Sequence, residues 1–124
     1  MRVTLRRIAL LAAMLTTTVW ADTASLKQML KTRVDVASSL TALYQKHDTA
    51  GLKNAVKKLK ALDAKIRKEK TSTDLHDYLL FAQYCIEDIE HAMKNPVNKG
   101  NIHFMHDLQV ALIDTDKYVL SQLH

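Results

Sequence analysis

The sequence predicts an all-α protein: an antiparallel four-helix bundle with up-down-up-down topology. Three observations carry that prediction. No segment alternates apolar and polar residues for long enough to form a strand, and the apolar residues recur at spacings of three and four. The two glycines, Gly51 and Gly100, and the one proline, Pro96, fall between the periodic segments. Each periodic segment is about 20 residues long and the connections are short, as in an up-down bundle.

The first helix is expected over residues 25–45. "SLKQ" has the form of a capping box, with Ser25 as N-cap and Gln28 three residues on. Its apolar stripe is Leu26, Met29, Leu30, Val36, Ala37, Leu40, Leu43 and Tyr44. "KHDTAG" then makes the turn, with Asp48 or Thr49 free to cap the next helix. The second helix runs to about residue 70, inward along Leu52, Ala55, Val56, Leu59, Leu62 and Ile66. "TSTD" breaks the chain again and offers Thr73 or Asp74 as a cap.

The third helix extends to about residue 93, burying Leu75, Tyr78, Leu79, Ala82, Cys85, Ile86, Ile89 and Met93. In "KNPVNKGN" proline and glycine both stop a helix. The fourth helix is expected from about residue 102 to the end, with Phe104, Met105, Leu108, Ala111, Leu112, Tyr118, Val119 and Leu123 inward.

Residues 1–21 stand apart from this pattern. Basic "MRVTLRR", apolar "IALLAAML" and "TTTVWA", with Val19 and Ala21 at −3 and −1, follow the order of a secretory signal peptide. Residues 22–124 then form the bundle domain, exported to the periplasm, and the apolar run is too short to anchor it in a membrane. Without Arg2, Arg6 and Arg7, 18 basic residues become 15 against 13 acidic ones, so a formal +5 falls to +2. That weak positive balance argues against nucleic acid as a partner.

Charge is nevertheless segregated. Lys53, Lys57, Lys58, Lys60, Lys65, Arg67, Lys68 and Lys70 crowd the second helix, whereas Asp74, Asp77, Glu87, Asp88 and Glu90 mark the third. Such runs are ordinarily solvated helix faces, and a docking patch for an acidic partner is the alternative. Cys85 is alone and on an apolar face, so no intrachain disulfide forms and a buried thiol is expected. An enzyme is not expected, because there is no nucleophile elbow, no glycine-rich phosphate loop and no buried carboxylate pair. His103 and His106 at i, i+3, and Glu87 and His91 at i, i+4, have the spacing of metal-ligand pairs, but both pairs point away from the apolar stripes.

In an up-down bundle the start of the first helix and the end of the fourth share one end. Met29 and His124 become neighbours there, among Leu26, Leu30, Ile66, Leu75, Tyr78, Leu79, Val119 and Leu123. A thioether and an imidazole at such an apolar end are a ligand set for haem iron. Arg33 lies one turn beyond Met29 on the same side and should either snorkel to water or be paired, with a haem propionate or an acidic side chain on another helix as its partner.

With these features the chain resembles the soluble cytochrome b562 family. The resemblance rests on the leader, the four helices in order, and stretches such as "DTAGLKNAV" and "DYLLFAQYCIEDIEHAM". It implies one non-covalent haem b held by Met29 and His124, with Arg33 and Tyr78 beside it. It also implies periplasmic electron transfer with a redox partner protein, by a monomer. The sequence departs from the family near its end. Aligned through Tyr118, the ligand position holds Val119; aligned through the histidine, it holds His124, the last residue. On a regular helix His124 also lies opposite the apolar stripe, so it turns inward only if the final turn unwinds. A haem-free bundle that binds proteins, as an adaptor, immunity or chaperone-like factor, is the competing reading. A histidine-based metal-binding protein is a third.

Overall fold

The computed structural model describes residues 20–69 and 73–123, and all of its regular structure is helical. Five segments succeed one another: α1 (Trp20–Ala37), α2 (Leu40–Gln45), α3 (Thr49–Glu69), α4 (Thr73–Ala92) and α5 (Lys99–Gln122). α1 and α2 together are the predicted first helix, so the chain has four helical arms. α1 packs on α3 and α5, α3 on α4, and α4 on α5, which makes a helical bundle.

The apolar stripes build two stacked clusters. The larger gathers Ala37, Leu40 and Tyr44 with Leu52, Val56, Leu59, Ala82, Ile86, Ile89, Met105 and Leu112. The smaller, at the other end, joins Leu26, Met29 and Leu30 with Ile66, Tyr78, Leu79, Val119 and Leu123. Each aliphatic side chain so buried contributes about 1.5–3 kcal/mol, and the single cysteine supplies no covalent substitute. Tyr44 fastens the larger cluster to the last loop, donating its hydroxyl to the carbonyls of Asn95 and Pro96 at 2.9 and 3.0 Å.

Several element boundaries differ from the sequence expectation, each for a local reason. The first helix breaks at Ser38–Ser39. There the Ser38 hydroxyl donates to the Val34 carbonyl at 2.6 Å and that of Ser39 to Val36 at 2.7 Å, competing with the helical ladder. Ser25 is not an N-cap, because α1 already begins at Trp20, just before the predicted cleavage point. The rest of the predicted leader lies outside the described residues. α5 starts at Lys99 rather than near residue 102, since the Asn98 side chain accepts from the Asn101 amide at 2.9 Å and caps it. Gly100 therefore sits inside the first turn. Phe104, expected inward, is 46 % exposed.

Other expectations hold. Asp48 caps α3, accepting from the Gly51 amide at 2.8 Å. Its carboxylate passes so close that a Cβ on Gly51 would lie 2.5 Å from Asp48 Oδ2, so a side chain there would displace the capping carboxylate. His47, at φ 58°, takes the left-handed position that ends α2, and the Asp48 amide reaches back to the Leu43 carbonyl at 3.0 Å.

Candidate functional site

Below the smaller cluster the core turns polar. Arg33 is fully buried, and so is Asp116; Asp63 is nearly so. The Arg33 Nε donates to Asp116 Oδ2 at 3.1 Å, and its Nη1 donates to Asp63 Oδ1. The Tyr78 hydroxyl donates to the other Asp116 oxygen, and the guanidinium stands 5.9 Å from the centre of the Tyr78 ring. One residue comes from each arm: Arg33 from α1, Asp63 from α3, Tyr78 from α4 and Asp116 from α5. Among the described residues the Arg33 Nη2 is buried without a hydrogen-bond partner.

The electrostatics arise from two carboxylates sharing one guanidinium away from water. Desolvation opposes the Arg33 charge, but the fields of Tyr78, Asp116 and Asp63 outweigh it and raise its pKa. Burial pushes Asp116 up from 3.8 to about 6 despite the attraction of Arg33 and the Tyr78 hydrogen bond. Asp63 moves the same way for the same reason. Desolvation carries the Tyr78 phenol well above its ordinary value.

The sequence reading set Arg33 and Tyr78 beside a haem and offered an acidic side chain on another helix as the other partner for Arg33. It did not foresee Asp63 and Asp116, and the expectation that no carboxylate pair is buried is corrected by both. Their signal was present. Asp63 falls four residues after Leu59 and three before Ile66, and Asp116 four after Leu112 and three before Val119, the spacing of the core stripe itself.

Met29 lies where the sequence put it, 9 % exposed within the smaller cluster. His124 lies outside the described residues, and so do the side chains of Leu75 and His76. α5 stops at Gln122, and Leu123 is extended (φ −94°, ψ 137°) yet buried beside Met29. Leu123 alone among the described residues of this arm's end departs from the helix. For a haem, the described residues provide the thioether and an aliphatic wall. Arg33, the cation expected to meet a propionate, is instead enclosed and held by two carboxylates.

The histidine pairs do not converge. His103 lies 3.5 Å from Asp107 on its own helix, with both side chains well exposed. No three His, Cys, Asp or Glu side chains among the described residues are placed to hold a metal ion.

Outside the core, α3 presents a distinct surface. Lys53, Lys57, Lys58, Lys60, Lys65, Arg67 and Lys68 are all exposed, whereas Asp63 points inward to Arg33. The neighbouring α4 has Asp74, Asp77, Glu87, Asp88 and Glu90 in its sequence and no lysine or arginine, and Glu87 and Glu90 line the side toward α3. The two helices meet across a groove of about 360 Å³. Lys60 pairs with Glu90 at 2.7 Å over it, and Arg67 donates to Gln83 at 2.7 Å. These two contacts tie α3 to α4, while Lys53, Lys57, Lys58, Lys65 and Lys68 extend the basic surface beyond them. No helix among the described residues is long and apolar enough to cross a membrane.

Comparison with protein-family models, with curated proteins and with solved structures returned no match.

Proposed function

We propose that the chain is an exported, haem-free, up-down-up-down four-helix bundle that binds an acidic protein partner through α3. One observation carries the reading: the exposed side chains from Lys53 to Lys68 include seven cations and no carboxylate. A helix that merely faced water would gain from mixed signs at i, i+4, and like charges at that spacing are destabilising. Keeping seven cations in about four turns is a cost that a complementary surface offsets. The up-down path is supported by the packing of α1 on α3, α3 on α4, and α4 on both α3 and α5, with short connections between successive arms.

The test is binding of a labelled oligo-glutamate peptide, monitored by fluorescence anisotropy. The reading expects binding at low salt that disappears near about 1 M salt, where the Debye length is about 3 Å. Lys57→Glu with Lys68→Glu, both exposed, should weaken it at least about tenfold, or about 1.4 kcal/mol. Equal binding by that variant, or none by the wild type, would overturn the reading.

A second reading, the b-type haem electron carrier, is favoured by the placement of Met29. It shares the apolar end with the extended Leu123, the residue before His124. In that reading Met29 and His124 hold the iron, Tyr78 lines the site and the aliphatic wall parts to admit the ring. Haem is added and the absorption spectrum recorded, oxidised and reduced. A sharp Soret band lost in both Met29→Ala and His124→Ala would establish it, and a protein that stays colourless would sink it.

A further inference from the structure

Taking α3 as a docking surface, we propose that its acidic partner is a second copy of this chain, which offers the outer edge of the α4–α5 seam. That edge combines what α3 lacks. Asp77, Phe81, Tyr84 and Asp88 succeed one another at intervals of four, three and four, so they share one flank of α4. The other flank of α4 faces α3 through Gln83 and Glu90. On α5, Phe104, Leu108, Ala111 and Thr115 repeat the same intervals, while the opposite flank meets α2, where Gln109 accepts from Thr41 at 2.8 and 2.7 Å. Both stripes therefore border the seam along which α4 and α5 pack.

Tyr84 and Phe104 are 55 % and 46 % exposed there, the two most exposed large apolar side chains among the described residues. Aromatic anchors in an acidic setting suit a basic, flat counterpart. The outermost strip of α3 is of that kind. Ala61 is exposed among Lys57, Lys65 and Lys68, and Ala64, exposed at the rim of the α3–α4 groove, continues it, leaving a shallow bed with no large side chain at its centre. Aromatic rings laid on that bed would be rimmed by ammonium groups, within reach of cation–π contact and of Asp77 and Asp88.

The two surfaces cannot meet within one molecule, because α3 packs on α1 and α4, diagonally across the bundle from α5. Nor can either pair with its own kind, since like charges would face each other. The contact is head-to-tail, so it does not close after two copies and grows with concentration. The monomer expected from the sequence is then the dilute or high-salt form.

Sedimentation equilibrium of the purified protein tests this. The wild type should show a weight-average mass that rises with concentration at low salt and returns to the monomer at about 1 M salt. Tyr84→Ala with Phe104→Ala breaks one face and Lys57→Glu with Lys68→Glu the other. All four residues are exposed, so both variants should fold, as checked by circular dichroism. Each variant alone should be monomeric, and a mixture of the two should form a heterodimer and nothing larger, through its two intact faces. A wild type that stays monomeric at low salt, a variant that still associates, or a mixture that fails to pair would each overturn the proposal. If the wild type stays monomeric but binds oligo-glutamate, self-recognition falls while α3 keeps its role. If it does neither, both fall.

Discussion

Arg33 shows how far a single residue could be read from the sequence. A charge in the apolar phase of the first helix needed an anion or a path to water, and the spacing alone said so. The identity of that anion required two aspartates in core phase on other helices to be recognised as core, against the ordinary rule that carboxylates seek water. Two variants probe the energetics of the cluster. Arg33→Ala leaves two buried carboxylates without their cation and should cost about 3–5 kcal/mol of stability in urea unfolding. Replacing all four members with apolar residues (Arg33→Met, Asp63→Leu, Tyr78→Phe, Asp116→Leu) should leave stability unchanged or raise it, because the desolvation cost goes with the attraction. The cluster also makes stability depend on pH. Asp116 titrates near 6 in the fold against 3.8 ordinarily, so between those values the folded state holds more protons than the unfolded chain. Its contribution to stability therefore grows as pH falls from above 6 toward 3.8, by at most about 3 kcal/mol, and Asp63 acts in the same direction. Urea midpoints at pH 7 and pH 5 should show the wild type gaining relative to Asp116→Asn, and a relative loss would refute the assignment.

At the scale of elements, periodicity located all four arms, and it failed at their ends. The α1–α2 break arises from two serine hydroxyls turned back on carbonyls three and four residues earlier. Composition does not reveal that, since serine serves equally in caps, turns and helix interiors. The early start of α5 has a similar origin. Pro96 and Gly100 read as stop signals, but Asn98 between them is a strong N-cap, and Gly100 is tolerated in a first turn. Asn98→Ala should therefore destabilise the protein by about 1 kcal/mol, measured as a lowered thermal midpoint, whereas Asn98→Asp should be nearly neutral. Loss of helix without loss of stability would mean that α5 is held by its packing alone.

For the whole molecule, Cys85 offers a built-in reporter. It is 6 % exposed, and its thiol is pushed up to about 11, by burial first and by Asp88 second. A thiol reagent at pH 8 should react slowly with the folded protein, and the rate should climb along the urea unfolding curve, because only the thiolate attacks. Rapid labelling in native buffer would show that the larger cluster opens well below global unfolding. The charge of the molecule is also organised beyond any one helix, with a basic arm next to one that has no basic residue other than histidine. The cluster of Arg33, Asp63, Tyr78 and Asp116 bears on the whole bundle too. Leucine and isoleucine stripes are nearly interchangeable, so oil alone leaves a bundle indifferent to which arm stands beside which, and to slippage by a turn. A cation that meets its partners at only one height on each arm acts like the pins of a lock. Misaligned packings strand charge in hydrocarbon, and the chain is left with one way to close.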